Sequence, residues 1–240
     1  MTKMTKFSQG YRVGIKSDVP SIMDYVQQAC LHHTYSTPGS MKFYDDLELA
    51  WVLTHWQVEI ESLPAVADDI TISTWSAGFK GFFGERGFIV NDQNGNIHLN
   101  ANSNWMLVNR KNLKPVRPTD EISQKYGGAM PLLIPKDFSI PKVQEFDFFS
   151  SKHYTVTMRD IDSNNHVNNI AYLTWAWDFF EDGIVPTTLK VAYKKEIRLH
   201  DEVEIKLYKS ETNGFFIEIE NGGKISAEIY LSWKKEDGEN

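Results

Sequence analysis

Apolar and polar residues alternate with a period of two in four stretches. These are "ITISTW" (Ile70 to Trp75), "IHLNANSNW" (Ile97 to Trp105), "VEIKLY" (Val203 to Tyr208) and "ISAEIYLSW" (Ile225 to Trp233). They are rich in β-branched and aromatic residues, so each predicts a strand with one wet face, as in an antiparallel sheet. Two segments break that pattern. "VPSIMDYVQQACLHHTY" (Val19 to Tyr35) predicts a helix capped by Ser17 or Asp18 and stopped near Pro38-Gly39. "NNIAYLTWAWDFFE" (Asn168 to Glu181) predicts a second helix, apolar on nearly every side. Such a helix must be wrapped by other structure.

The order of these elements recurs. A strand signal (Tyr11 to Ile15), a helix and about four strands make the first half. A strand signal (Tyr154 to Met158), a helix and about four strands make the second. Val58 and Val191, Asp68 and Asp201, Ile72 and Ile205, and Gly81-Phe82-Phe83 and Gly214-Phe215-Phe216 match at one constant offset. A tandem repeat follows, each copy an antiparallel sheet curled around one buried helix, which places the chain in the α+β class. Between the copies, Pro118 to Ser151 carries four prolines and Gly127-Gly128 without clear periodicity, the pattern of a surface linker.

With 240 residues and 41% hydrophobic side chains, the chain can fill such cores. A net charge of −7 argues against general nucleic-acid binding, which needs basic surface to displace counterions. The single cysteine, Cys30, excludes an intrachain disulfide and fits a reducing compartment. The amino-terminal stretch has no apolar signal core, and the most apolar window, Ile170 to Phe180, is too short to span a bilayer. A soluble cytoplasmic protein without membrane insertion is the expectation.

The repeat lets one half serve as control for the other. The first helix is entered through "KSDVPSIM", the second through "RDIDSNNHVNN" (Arg159 to Asn169). At the constant offset, Leu63 of the first half stands opposite Glu196 of the second. This asymmetry locates candidate chemistry in the second half and leaves packing or binding to the first. The cluster itself has three readings. It can be a polar turn with a helix cap, since Asp and Asn bond neighbouring backbone. It imitates the start of a calcium loop, but Asn165 and Ala171 stand where that loop needs glycine and glutamate. The third reading is an acid–amide–imidazole group at a helix start, where backbone N–H groups near Val167 to Asn169 could polarise a carbonyl.

At these residues the sequence resembles the acyl-acyl carrier protein thioesterases of plants and bacteria. The resemblance rests on "RDIDSNNHVNNIAYLTW", on "VAYKKEI" downstream, and on "WQVEIESLPAVADDITISTWSAGFKG" followed by "ER" in the first half. It implies a tandem hotdog fold, with residues 1–122 a first hotdog that binds the acyl chain, 123–150 a linker, and 151–240 the catalytic hotdog. It implies hydrolysis of the thioester between a fatty acyl chain and acyl carrier protein, with no metal and no cofactor. The family's functional residues fall on Asp162, Asn164, His166 and Glu196. Glu196 would act as general base or as nucleophile, His166 would position the water or substrate and relay a proton, Asp162 would orient His166 or raise its basicity, and Asn164 would hold the thioester carbonyl or the glutamate. Some members carry cysteine directly after that glutamate. Ile197 stands there instead, which disfavours a cysteine acyl-enzyme.

Lys190, Lys194, Lys195 and Arg198 are either a solvated strand face or a docking patch for an acidic carrier protein, and "NRKNLKPVR" (Asn109 to Arg117) is a second such patch. "GFKGFFGERG" lacks the ending of a phosphate loop, so its glycines mark bends. Trp51, Trp56 and Trp75 read as core, and His32 and His33 as incidental helix residues. The rival functions are an acyl-coenzyme A thioesterase of the same fold and a non-catalytic acyl-binding protein. A hydratase is disfavoured by Asn165, where its pattern has proline. A tandem repeat can pair internally, so monomer and homodimer both remain compatible.

Overall fold

The computed structural model describes residues 6–36, 40–162, 165–180, 184–212 and 214–233. The chain divides into two compact units, residues 1–136 and 137–240. The first unit contains β1 (Phe7–Arg12), α1 (Val19–Ser36), α2 (Ser40–Asp46), β2 (Leu49–Ile60), β3 (Asp69–Lys80), β4 (Phe83–Asp92), β5 (Ile97–Asn109) and α3 (Asp120–Lys125). The second contains β6 (Asp147–Thr155), α4 (Asn169–Trp177), β7 (Thr188–Tyr193), β8 (Glu202–Ser210), β9 (Gly214–Asn221) and β10 (Lys224–Ser232).

Strand order within the first unit is β1-β3-β4-β5-β2. Within the second it is β6-β8-β9-β10-β7. One order maps onto the other element by element, so the repeat seen in the sequence is a repeat of topology. All the pairings within each unit are antiparallel.

The helices form where the pattern predicted. Asp18 caps α1: its Oδ1 accepts from the Ser21 N–H at 2.9 Å and its carbonyl from the Ile22 N–H. Ile22, Met23, Val26, Ala29 and Cys30 bury the face of α1 that packs on β1 and β3. Asn168 caps α4 through its Oδ1 and the Ile170 N–H, 3.0 Å. Ile170, Tyr172, Leu173, Trp175, Ala176 and Trp177 are all buried, more than one helical face, as wrapping requires.

Three expectations shift. β1 begins upstream of Tyr11–Ile15 and ends at Arg12, and β6 begins upstream of Tyr154–Met158 and ends at Thr155, because an edge strand needs backbone partners on one side and tolerates polar residues on its open face. Helix α4 ends at Trp177, with Glu181 outside the described residues. The segment Pro118 to Ser151 is more than a surface linker. Thr119 caps α3, whose Ile122 is buried with Tyr126, Tyr44, Leu49 and Leu107 in the first unit. Residues 130–135 stay on that unit: the Trp75 indole donates to the Pro131 carbonyl, and Gln57 to that of Pro135. Farther on, Phe146 is buried against Phe216 of β9 in the second unit.

Candidate active site

The site grows from the entry to α4. Asp162, Asn165 and His166 are tied together into a turn by three hydrogen bonds. The Asp162 N–H donates to the His166 carbonyl (2.8 Å), the Asn165 N–H to the Asp162 carbonyl (3.1 Å), and the His166 N–H to Asp162 Oδ1 (3.3 Å). Asn165 takes φ of 61°, a left-handed conformation that asparagine tolerates better than most residues. Asp162 therefore acts on the backbone of His166 and fixes where the imidazole leaves the chain. Asn164 lies outside the described residues.

Glu196 reaches this turn from the connection after β7, beyond the strand's end rather than on it. The Lys194 and Lys195 N–H groups both donate to the Ser226 carbonyl of β10, which fixes that connection. Ile197 is fully buried, and its carbonyl accepts from the Val167 N–H at 3.0 Å. The residues following His166 and Glu196 are thus bonded to each other. The consequence is that His166 Nε2 lies 3.1 Å from Glu196 Oε2. Their side chains are 35% and 37% exposed, open enough for water and a substrate to arrive.

A second layer holds the turn from below. The Asp160 carboxylate is buried and accepts from the Tyr154 hydroxyl (2.9 Å), the Thr157 N–H (2.8 Å), the Thr157 hydroxyl (2.7 Å) and the Trp175 indole (3.2 Å). Its carbonyl accepts from the Asn168 N–H. Tyr193 of β7 donates to the Asn169 carbonyl at 2.9 Å. Burial pushes the Tyr172 phenol up, partly offset by the nearby Ile197 N–H. Sequence reasoning missed these supports. Asp160 and Tyr193 both stand within the quoted motifs, but only their partners reveal the role.

Two of the three expected oxyanion donors are already engaged. The Val167 and Asn168 N–H groups are already spent on Ile197 and Asp160, and the Ile170 N–H on the Asn168 side chain. Among the described residues, no group of three or more His, Cys, Asp or Glu side chains is arranged to hold a metal ion. No described helix is long and apolar enough to cross a membrane.

The basic residues divide. Lys190 is 12% exposed, with its ammonium against Asp137 (2.5 Å) and the Ser139 carbonyl (3.1 Å). Lys194 is exposed and pairs with Glu228 at 2.5 Å. Lys195 and Arg198 are exposed, and neither side chain has an ion pair among the described residues.

Comparisons with known proteins fall on this same arrangement. Residues 8–126 match the family model "Acyl-ACP thioesterase N-terminal domain", and residues 143–235 match "Acyl-ACP thioesterase C-terminal domain". Similar curated proteins include oleoyl-acyl carrier protein thioesterase 2, chloroplastic, of Arabidopsis thaliana, 28% identical with 85% of this chain and 61% of that protein covered. Palmitoyl-acyl carrier protein thioesterase, chloroplastic, of Cuphea hookeriana is 24% identical, with 96% and 61% covered. This chain therefore spans about three-fifths of the length of those relatives. Among solved structures, an acyl-ACP thioesterase from Bacteroides thetaiotaomicron VPI-5482 aligns with a TM-score of 0.83 at 20% identity, covering 95% of this chain and 97% of that one. The 12:0-ACP thioesterase from Umbellularia californica aligns with 0.81 at 20%, covering 95% and 97%. These likenesses establish the fold as a tandem hotdog.

Proposed function

The chain belongs to the acyl-ACP thioesterase family, and on that premise we propose that it hydrolyses the thioester joining a fatty acyl chain to acyl carrier protein. The products are free fatty acid and the carrier's thiol, so chain elongation ends. The observation that carries this reading is the 3.1 Å contact between His166 Nε2 and Glu196 Oε2 at a half-open site.

In this mechanism Glu196 takes a proton from water as the water oxygen attacks the carbonyl carbon. The C–S bond then breaks, and the thiolate takes a proton through His166. A thiolate is a weak base, so modest acid assistance suffices. Asp162 sets the His166 backbone through the turn. Asn164 supplies the amide that holds the thioester carbonyl. Lys195 and Arg198 flank Glu196 in sequence and are the docking cations of this proposal, with Lys194 shared with Glu228. Lys190 drops out, since its charge is already met. A cytoplasmic setting is part of the reading, supported by a buried lone thiol, Cys30.

The test is hydrolysis of a series of acyl carrier protein thioesters, with the matching coenzyme A thioesters alongside, by wild type and Glu196→Gln. General-base catalysis contributes about 10²–10⁴-fold, so the variant is expected to lose at least about 10²-fold in kcat/KM. Turnover near wild type would remove Glu196 from the chemistry. Faster hydrolysis of the coenzyme A series would move the substrate to that carrier.

A further inference from the structure

A polar row crosses the interior of the first unit. Ser76 of β3 lies directly opposite Arg86 of β4, Arg86 opposite Ser103 of β5, and Ser103 opposite Trp56 of β2. Directly opposed residues share a sheet face. All four are buried, Arg86 at 6% exposure and Trp56 and Ser103 at none.

A guanidinium in that position is costly unless something accepts its protons. Among the described residues no carboxylate pairs with it. Its Nη1 donates to His33 Nδ1 (2.7 Å) and Thr74 Oγ1 (3.2 Å), and its carbon stands 5.4 Å from the Tyr126 ring centre. None of these partners carries a negative charge. Arginine has five N–H donors, and both hydrogen bonds fall on one nitrogen. Ser103 accepts from the Trp105 indole at 2.7 Å, which leaves its own hydroxyl proton to donate. The Trp56 indole N–H is buried without a hydrogen-bond partner among the described residues. The row's two serine oxygens already accept from the Gly78 N–H and the Trp105 indole, so its donors exceed its acceptors.

Its neighbours on the same face are mostly apolar. One adjoining row runs Thr74, Phe88, Ala101, Val58, and the other Phe79, Gly84, Trp105, Leu53. Phe88 lies 5.1 Å from the Trp56 ring centre. The second unit supplies the control. At the offset that relates Val58 to Val191, Ser76 corresponds to Lys209 and Trp56 to Leu189. The opposed row there is Lys209, Phe215, Leu231, Leu189, with both leucines fully buried. Apart from the exposed Lys209 at its end, the second unit fills this row with Phe215, Leu231 and Leu189, where the first unit has Arg86, Ser103 and Trp56.

We propose that the first unit's interior receives an acceptor oxygen carried on an aliphatic chain: an acyl group bearing a hydroxyl or keto oxygen away from its thioester, bonded by Arg86, Trp56 and Ser103. The proposal rests on the reading of the chain as an acyl thioesterase for its substrate class. Its test measures binding alone, so the two fail separately.

The probes are dodecanoate and a set of hydroxydodecanoates with the hydroxyl at successive carbons, titrated calorimetrically into wild type, Trp56→Phe and Arg86→Met. At least one hydroxylated acid is expected to bind wild type about tenfold tighter than dodecanoate, the gain from one well-placed buried hydrogen bond. Trp56→Phe, which deletes the N–H and keeps an aromatic ring, should cut that advantage to about twofold or less while dodecanoate binding is retained. Arg86→Met should do the same, and circular dichroism checks its folding. If it fails to fold, Trp56→Phe decides. Equal affinity of wild type for plain and hydroxylated acids would overturn the proposal and assign the missing acceptor to solvent. Weakened binding of dodecanoate itself in Arg86→Met would overturn it in favour of a site for the product carboxylate.

Discussion

His33 shows how far a single residue can depart from its sequence reading. It has no motif and looks incidental in "CLHHTY", yet its ring is buried, stacked on Phe7 at 5.5 Å and accepting from Arg86. Burial, then the Arg86 charge, push its pKa down to about 4 from the ordinary 6.5. The sign follows from proton uptake. Between pH 6.5 and 4 the unfolded chain protonates this histidine and the folded chain does not, so stability from this group falls as pH drops through that window. We expect His33→Asn, which keeps an acceptor and cannot charge, to flatten part of the decline. Urea midpoints at pH 7, 6 and 5 check this; parallel curves for variant and wild type would exclude it. Glu196 was legible where His33 was not, because the repeat set it against Leu63. The Asp162 turn was legible in composition. That its carboxylate serves the His166 backbone, and that Val167 and Asn168 have no N–H to spare, are facts of partners, which a linear string does not contain.

At the scale of elements, alternation carried most of the information. β3, β5, β8 and β10 lie where the period of two placed them, because each has one buried face. The edge strands β1 and β6 were mislocated because backbone pairing, not side-chain burial, defines them. α3 was missed because six residues are too few to show a helical period. The repeat's paired glycines give a sharper test. Gly81 and Gly214 both have positive φ, 64° and 91°. A Cβ on Gly81 would meet nothing within 4 Å, whereas one on Gly214 would sit 2.1 Å from the Leu231 carbonyl oxygen. Gly81→Ala should therefore cost about 1 kcal/mol, the backbone term alone. Gly214→Ala should cost about 3 kcal/mol, since β10 must also give way. Chemical denaturation of both variants decides, and equal losses would contradict the reading of the contact.

For the whole molecule the governing quantity is charge. A chain of net −7 repels an acidic partner at long range, so productive encounter needs a local reversal of sign. In the proposed function Lys195 and Arg198 provide one beside Glu196; Lys194 is paired with Glu228 and Lys190 is held by Asp137. The sequence showed four cations and could not sort them, because pairing depends on strands distant along the chain. Exposed charges act over roughly a Debye length, about 8 Å at physiological salt, and each contributes about 1 kcal/mol or less. Reversing both Lys195 and Arg198 to glutamate turns two attractions into repulsions. KM for an acyl carrier protein thioester should then rise roughly tenfold at low salt. Added salt should weaken wild type toward the variant, since screening removes what the mutation reverses. A small acyl thioester without the carrier should be hydrolysed equally by both, because neither side chain takes part in the bond-breaking step. Equal losses on carrier-linked and small substrates would mean that the substitutions had disturbed Glu196 itself, and the docking role would be lost.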